Sequence, residues 1–358
     1  MLFFCIAVRN IFSRACILLI RVCMNIENNI RLFFDTEARD HLAITPIQGD
    51  ASSRRYYRIT GTEPSTIACH DPQLRTLNLH SYPFLILHAL FSRHSLPVPE
   101  VLAVKAEYGL LLLEDCGSVM LQDLVNEPDN EKSAELYRNC IDILVGIQSI
   151  TGDSSQIPFR FSFDHEKLMF EFDFFIEHAL FNYFAAYFKR SDAGALRREF
   201  EAITETLVQP EHFVLNHRDF HSRNIMIRNG KPVLIDFQDA RMGLPQYDAV
   251  SLIRDSYTDL DNELAEELKT RHYRQLKNRG VITMSDDEYL YLFDLMAFQR
   301  SIKALGTFCH QTAVLGKPVY EQSIAPTIAY LSDYIASRKE LKKAGTLLLP
   351  LLENGATR

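Results

Sequence analysis

The chain lacks tryptophan, metal-binding cysteine pairs and every common glycine-rich phosphate-binding motif. Its seven cysteines include no CxxC pair and no set followed by histidines at zinc-finger spacing, so the thiols are expected to be reduced and buried in a cytoplasmic protein. No GxxxxGK, GxGxxG, GxSxG or HExxH stretch occurs. These absences exclude the usual signatures of P-loop, dinucleotide-binding, serine-hydrolase and zinc-protease sites.

A surplus of positive charge is also missing. The chain has 38 lysines and arginines against 46 aspartates and glutamates, which gives a formal net charge of −8. A protein whose main partner is nucleic acid needs a clustered basic face to neutralise phosphates. We therefore expect no nucleic-acid partner, and a small molecule is the favoured ligand.

Long apolar runs are absent as well. The first 23 residues are apolar but carry Arg9, Arg14 and Arg21, so no run approaches the ~18 residues that a membrane span requires. A signal or anchor is one interpretation of this end. The preferred one is that residues 1–24 are an unstructured or mis-annotated extension ahead of a start at Met24, and that no membrane is involved.

The composition of the chain is that of a folded globular protein. Hydrophobic residues make up 47% and charged residues 23% of 358 residues, a length that favours two domains. Residues 25–115 form short strand-like runs with one helical segment at about 77–93, after a short helix at 26–42. From 116 to 358 the pattern is helical. The helical segments are expected at about 130–150, 165–189, 193–208, 259–278, 285–307 and 321–339.

One short β insert, residues 213–237, interrupts this helical half. It contains HRDFHSRN at 217–224, followed by IMIRNGKPVLIDF. Asn229-Gly230 between two apolar runs predicts a two-residue hairpin turn in which Arg228 faces Lys231. That register brings Asn224 beside Asp236 at one end of the hairpin.

The hairpin end has the ligands for metal-assisted phosphoryl transfer. An amide oxygen from Asn224 and a carboxylate from Asp236 suit Mg²⁺ that also binds phosphates. Asp219, in the loop that enters the hairpin, suits a base that orients a hydroxyl and accepts its proton. The order matches the protein-kinase template HxDxxxxN followed by Asp-Phe. The alternative is a polar loop that only satisfies buried backbone groups.

On these motifs the chain resembles the aminoglycoside phosphotransferase and choline kinase superfamily. The resemblance implies a bilobal α+β protein-kinase-like fold, with a small N-terminal sheet lobe carrying one helix and a larger, mostly helical C-terminal lobe. It also implies ATP and Mg²⁺ as cofactors. Further stretches resemble bacterial amino-sugar kinases within this superfamily: GDASSRRYYRI, LLLLEDCG, IDFQDARMGLPQYDAVSLIRD and FDLMAFQRSIKALG. These imply transfer of the ATP γ-phosphate to the anomeric hydroxyl of N-acetylmuramate or N-acetylglucosamine, in cell-wall recycling.

The nucleotide-binding residues are expected in the N-terminal lobe. The kinase template asks for a lysine on the third strand and a glutamate on the small-lobe helix, but Cys69 stands at about the lysine position and the helix has no acid. An arginine from the loop is the candidate replacement. Small residues and hydroxyls in the same loop suit close approach to phosphates, and the strand end after four leucines suits adenine. The candidates are Gly49, Ser52, Ser53, Arg54, Arg55 and Glu114.

The acceptor would contact residues around Asp219 and on two later helices. Arg218, His221 and Arg223 flank the base and suit acceptor hydroxyls or a carboxylate. Arg300 and Lys303 lie three apart on one helix face. Ordinary surface ion pairs are the favoured interpretation of these two, and contact with the acceptor is the alternative. Glu171, in an aromatic helical stretch that is mainly core, is a further candidate.

Two other functions remain open at this level. An aminoglycoside or choline phosphotransferase would need an anionic pocket for its cationic acceptor. A catalytically inactive nucleotide-binding module is suggested by the missing lysine, although such a module has little need for Asp219. The sequence indicates no particular oligomeric state.

Overall fold

The computed structural model describes residues 26–47, 54–125 and 130–355. The predicted extension over residues 1–24 lies outside this description. None of the helices in these ranges is both long and apolar enough to cross a bilayer. By their internal contacts the described residues form two compact units, one with the chain up to Leu85 and Pro99–Gly117, the other with Ile86–Val98 and the chain from Ser118 onward.

The first unit is built on a five-stranded antiparallel sheet with the order β1-β2-β3-β5-β4. Residues 26–31 are helical (α1) and precede it. The five strand-like runs predicted from the sequence all form strands. The elements are α2 (Thr36–Arg39), β1 (Ala43–Ile47), β2 (Arg55–Thr60), β3 (Thr66–His70), β4 (Val101–Lys105) and β5 (Leu110–Glu114).

Alternation along the strands explains the core of this unit. Tyr57 and Ile59 on β2 and Leu110 and Leu112 on β5 are buried in one hydrophobic cluster, as expected for a period of two. All four leucines of β5 are buried because this strand pairs on both sides, with β3 and with β4. The hydrophobic faces therefore fix the register of the sheet.

Helix α3 spans Pro83–Arg93, a shorter segment than the predicted 77–93. Proline suits the first turn of a helix, where its missing N–H has no partner to lose. The residues before it form a separate 3₁₀ turn at Leu79–Ser81, which Asn78 caps by accepting from the His80 N–H. The Asn78 cap and Pro83 therefore divide the predicted helical segment 77–93 into a 3₁₀ turn and helix α3.

The second unit is mostly helical, as predicted. The helices that end at Phe175 and Cys309 continue into π-helical turns, Ile176–Tyr183 and His310–Val314. The helices at 121–124 and 342–355 were not predicted. The helices are α4 (Leu121–Leu124), α5 (Asn130–Gln148), α6 (His165–Phe175), α7 (Ala193–Leu207), α8 (Gln246–Ile253), α9 (Asn262–Asn278), α10 (Asp286–Cys309), α11 (Ile324–Ser337) and α12 (Lys342–Gly355).

The predicted hairpin is present within this unit. Strands β7 (Ile225–Arg228) and β8 (Lys231–Leu234) are antiparallel, and Arg228 faces Lys231. Asn229 and Gly230 have φ values of 51° and 73°, the left-handed pair that a type I′ turn requires. A second pair, β6 (Val214–Asn216) with β9 (Arg241–Gly243), was not predicted as a pair.

Helix α10 is the central element of the second unit. Most of its positions are buried, and it packs on α6, α8 and α11. At Gly306 an added Cβ would lie 3.0 Å from the Cα of Phe175, so the α6 and α10 backbones approach closely only because Gly306 has no side chain. This approach places the polar faces of α6 and α10 beside the loop that contains Asp219.

Candidate active site

Asp219 lies in the loop between β6 and β7 and faces cations from two elements. Lys303 Nζ on α10 is 3.3 Å from Asp219 Oδ1, and Arg218 Nε is 3.8 Å from Oδ2. The Asp219 side chain is 27% exposed, so it can still reach a ligand. Burial raises the pKa of Asp219, but the charges of Lys303, Arg218 and Arg300 lower it further, to well below its usual range. Asp219 is therefore an ionised hydrogen-bond acceptor at neutral pH.

A buried carboxylate holds the backbone of this loop. Asp248, in the first turn of α8, accepts hydrogen bonds from the His217 N–H at 2.5 Å and the Arg218 N–H at 3.0 Å. Arg218 has a φ of 86°, a conformation that non-glycine residues adopt only when their surroundings impose it. Burial raises the pKa of Asp248 to about 7. By binding the N–H groups of His217 and Arg218, Asp248 fixes the direction in which the side chain of the next residue in the loop, Asp219, points.

Asn224 and Asp236 lie at the same end of the hairpin, as the register predicted. The Ile235 N–H donates to the Asn224 carbonyl at 3.0 Å, so Asp236 follows directly after the pair. Asn224 Nδ2 donates to the backbone oxygen of Asp219 at 3.0 Å, which turns the amide oxygen away from that carbonyl. Asp236 is exposed, has a φ of 63° and accepts from Gln238 through Oδ1.

This donor set fits a hard divalent cation. One amide oxygen and one carboxylate oxygen remain available, which suits Mg²⁺ that completes its shell with water and phosphate oxygens. In the described ranges no group of three or more histidine, cysteine, aspartate or glutamate side chains is arranged to bind a metal. The set therefore fits Mg²⁺ shared with a phosphate ligand better than a metal bound only by protein.

The three candidates beside the base have different partners. Arg218 forms an ion pair with Asp239 at 2.9 Å. His221 Nε2 is 3.3 Å from Asn224 Nδ2, and burial lowers the pKa of His221. Arg223 stacks on the ring of Tyr257 at 4.7 Å. All three lie around the loop that carries Asp219, and their contact with an acceptor stays a prediction.

The two cations on α10 do not form ordinary surface ion pairs. Lys303 pairs with Asp219, and Arg300 Nη1 donates to the Tyr247 hydroxyl at 2.6 Å while its guanidinium lies 4.4 Å from the Tyr247 ring centroid. Tyr247 is fully buried and stacks on Phe163 at 3.8 Å. The surface-pair interpretation is therefore wrong, and both cations lie beside Asp219 in the wall of one cavity.

Glu171 approaches the same face of α10 from α6. It is 5% exposed, accepts from Gln299 Nε2 at 2.9 Å through Oε2, and its Oε1 lies 3.8 Å from Lys167 Nζ. Oε1 has no hydrogen-bond partner in the described structure. Glu171 is thus a buried acid with one acceptor oxygen still available.

A cavity of about 130 Å³ lies beside Asp219 within the second unit. At roughly 10–15 Å³ for one water-sized group, it has room for about ten such groups, the scale of a small sugar. Charged side chains dominate its polar wall. They are Asp219, Arg254, Asp255, Arg300 and Lys303.

In the first unit, Arg54 has a defined position. Its Nε is 2.9 Å from Asp71 Oδ2, and the Tyr82 hydroxyl donates to the same carboxylate oxygen at 2.7 Å. Asp71 directly follows β3, which contains the buried Cys69, and burial raises the pKa of that thiol to about 12. An arginine and an aspartate thus form an ion pair near the strand position where the kinase template has its lysine.

The other nucleotide-binding candidates have less defined positions. Arg55 is exposed at the start of β2. Glu114 accepts from the Glu100 N–H at 3.2 Å. Gly49, Ser52 and Ser53 lie outside the described residues, so their role stays a prediction.

Three residues that contact the candidate residues of the two units were missed or misjudged from the sequence. Lys303 was not recognised as the partner of Asp219, because nothing local connects residues 84 positions apart. Tyr247, adjacent to Asp248 in QYDAV, was not considered at all. Asp71, in the motif HDP after β3, could have been found by searching for any acid near the third strand instead of on the helix alone.

A loop carboxylate held in place by a buried aspartate, followed by a hairpin that presents an amide and a second carboxylate, matches the arrangement of the kinase template. The model of the phosphotransferase enzyme family matches residues 43–279, about two thirds of the chain. The chain belongs to this family. The predicted α+β protein-kinase-like fold is confirmed by solved structures: an ethanolamine kinase from Plasmodium vivax superposes with a TM-score of 0.57 at 12% identity, over 84% of each chain.

Two curated relatives are more similar in sequence. Both carry the name N-acetylmuramate/N-acetylglucosamine kinase. The one from Pseudomonas aeruginosa is 29% identical over 86% of this chain and 88% of its own length. The one from Neisseria meningitidis serogroup B is also 29% identical, over 88% of this chain and 93% of its own.

Proposed function

We propose that the protein is a cytoplasmic, ATP-dependent kinase that phosphorylates the anomeric hydroxyl of N-acetylmuramate and N-acetylglucosamine, a step of cell-wall recycling. The observation that carries this proposal is the similarity, over most of both chains, to relatives named for these two acceptors. Family membership supports phosphotransfer, and the substrate assignment is ours.

Asp219 would act on the acceptor hydroxyl. Its carboxylate accepts the proton of the anomeric O–H as that oxygen forms a bond to the γ-phosphorus and the bond to the ADP oxygen breaks. The low pKa of Asp219, which results from its cationic neighbours in spite of its burial, suits orientation of the hydroxyl before transfer more than early proton removal. Lys303 keeps the carboxylate in place through its contact at 3.3 Å.

Asn224 and Asp236 would hold Mg²⁺. When bound, the ion would neutralise charge on the phosphates. Support comes from the free amide oxygen of Asn224, whose nitrogen is committed to the Asp219 carbonyl. The antiparallel pairing of β7 with β8 keeps the two ligands in register.

The nucleotide phosphates would be bound by the loop at 49–55, with Arg54 in place of the template's lysine. Its ion pair with Asp71 parallels the lysine–glutamate pair of that template, and the Tyr82 hydroxyl orients the aspartate. Gly49, Ser52, Ser53 and Arg55 would contribute backbone groups, hydroxyls and a second cation, and Glu114 would lie near the adenine.

The charge of the cavity favours an amino-sugar acceptor over a cationic one. Its wall has three cations, Arg254, Arg300 and Lys303, against two carboxylates, Asp219 and Asp255. An aminoglycoside or choline needs the opposite balance. The acceptor is therefore expected to be neutral or anionic.

An assay panel tests the proposal. The enzyme with ATP and Mg²⁺ is offered N-acetylmuramate, N-acetylglucosamine, kanamycin and choline, and ADP release is measured. We expect turnover with the two amino sugars and a product phosphate that mild acid removes, since anomeric phosphates are acid-labile. Turnover with kanamycin or choline alone would refute the proposal.

A further inference from the structure

We propose that Arg300 binds the carboxylate of an anionic acceptor and so distinguishes N-acetylmuramate from N-acetylglucosamine. The two sugars differ by one group, a lactyl ether that ends in a carboxylate. This inference rests on the proposed function and assigns the acceptor selectivity to one side chain.

Arg300 is the cation of the cavity wall without a carboxylate partner. Lys303 contacts Asp219, and Arg254 lies 3.9 Å from Glu266. Within the described residues no carboxylate oxygen lies within 4.0 Å of the Arg300 guanidinium, whose Nε is buried without a hydrogen bond. Burial opposes the charge of Arg300, but Tyr247, Asp219 and Glu171 raise its pKa. The guanidinium is therefore charged, and no carboxylate of the described residues occupies its remaining donors.

The guanidinium is also held in one orientation. Its Nη1 donates to the Tyr247 hydroxyl, and its plane lies over the Tyr247 ring, which is itself fixed against Phe163. Only one of its five N–H donors is used by the hydrogen bond to Tyr247. A planar fork with free donors matches the two oxygens of a carboxylate.

The location favours the acceptor as the source of that carboxylate. Arg300 and Asp219 line the same cavity, and Lys303, one turn further along α10, contacts the base. An acceptor whose hydroxyl reaches Asp219 would have its remaining substituents against the α10 face. A γ-phosphate is the other anion that could reach Arg300, and it would make Arg300 equally important for both sugars.

The test measures kcat/KM for three acceptors: N-acetylmuramate, its neutral lactyl amide and N-acetylglucosamine. Wild-type enzyme should prefer the acid to the amide. Arg300→Gln should lower kcat/KM for the acid by about 10- to 100-fold, the usual effect of losing a hydrogen bond to a charged group, mainly through KM. Any loss that acts through the charge of Arg300 on Asp219 is common to the three acceptors, so the readout is the ratio of kcat/KM for the acid to kcat/KM for the amide, which should fall by that factor.

Two further variants separate charge from structure. Arg300→Lys keeps the charge without the fork and should lie between wild type and Arg300→Gln for the acid. Arg271→Gln is the matched control, because Arg271 pairs with Asp142 at 2.7 Å and does not line the cavity. It should leave the ratio between the three acceptors unchanged.

Two results would overturn the inference. The first is an equal loss on all three acceptors in Arg300→Gln, which would point to the phosphate. The second needs no variant: equal kcat/KM values for the acid and the amide in wild-type enzyme would mean that no residue recognises the carboxylate. Failure of wild type on every one of these sugars would instead remove the proposed function, and this inference with it.

Discussion

The protonation state of each acid at this site depends on its burial and on the charged and N–H groups close to it. Asp219 is kept ionised by Lys303, Arg218 and Arg300 although burial alone favours its neutral form. Asp248 shows the other outcome, because burial raises its pKa to about 7 while two backbone N–H groups bind it. Residue type alone predicts neither state, and the difference comes from the partners that the fold supplies.

Asp219→Asn should abolish turnover with little effect on folding. The amide keeps the size of the side chain but cannot accept the proton, so kcat should fall by about 10²- to 10⁴-fold. Asp173→Asn is the control, because Asp173 pairs with Arg197 on the surface at 2.8 Å. Activity of Asp219→Asn within tenfold of wild type would contradict the role of Asp219 as base. Turnover by the wild-type protein would separately exclude an inactive nucleotide-binding module.

Asp71→Asn should separate the stability role of the Arg54–Asp71 pair from its function. Removing the charge of Asp71, whose side chain is 2% exposed, breaks its ion pair with Arg54 and weakens its hydrogen bond from the Tyr82 hydroxyl, a loss of about 3 kcal/mol of unfolding free energy. The double variant Arg54→Gln/Asp71→Asn should recover part of this loss in urea titrations. The KM for ATP should rise in both, and an unchanged KM in the folded double variant would exclude Arg54 from nucleotide binding.

Elements of local origin were predictable, and elements that depend on distant partners were not. The hairpin β7–β8 follows from Asn229-Gly230 and two apolar runs, and its register holds to the metal-ligand positions. The pairing of β6 with β9 escaped prediction because each strand has only three residues and they meet across an intervening hairpin. The same limit applies to the α6–α10 contact, which depends on a single glycine at 306.

Gly230→Val tests whether the turn positions the proposed metal ligands. An added Cβ at Gly230 meets no atom within 4 Å, but its φ of 73° is strained for valine, at a cost of about 1–2 kcal/mol. The strain should loosen the hairpin and raise the Mg²⁺ concentration needed for half-maximal activity.

Gly280→Val is the matched control for that variant. Gly280 follows α9, has a φ of 68° and is equally uncrowded, so the variant should lose a similar amount of stability. Its Mg²⁺ dependence should stay as in wild type. An equal shift in both variants would mean that general destabilisation, and not the hairpin, sets metal binding.

At the scale of the whole molecule, the site depends on contacts that no sequence window contains. Lys303 reaches Asp219 across 84 positions, and Gln299 reaches Glu171 across 128. The sequence predicted the fold class, and it predicted that Asn224 and Asp236 lie at one end of the hairpin because both belong to one continuous segment. It did not predict the cationic wall of the cavity, because helical periodicity gives the face of a residue but not the element that the face meets.

The stability of the whole chain should depend on the charge state of one buried histidine. His272 on α9 is fully buried, with Nδ1 2.6 Å from the Tyr289 hydroxyl and Nε2 2.8 Å from Gln148 Oε1. Gln148 in turn donates to Asn216, which precedes the loop of the base. Gln148 Oε1 can only accept, so Nε2 carries the proton and the neutral ring accepts from Tyr289. Burial lowers the pKa of His272 to about 3.

Acid should therefore destabilise the protein through His272. Its pKa in the unfolded chain is about 6.5, so between pH 6.5 and 3 the unfolded state binds a proton that the folded state does not. The stability that the neutral ring contributes is complete above pH 6.5 and falls as the pH falls, by about 2 kcal/mol at pH 5.

His272→Gln keeps a donor and an acceptor but cannot titrate. Urea titrations should therefore show that its unfolding free energy falls less between pH 7 and pH 5 than that of wild type, by the same amount. The exposed His165→Gln should lose as much as wild type. Equal losses in His272→Gln and wild type would mean that the ring is already charged in the folded protein.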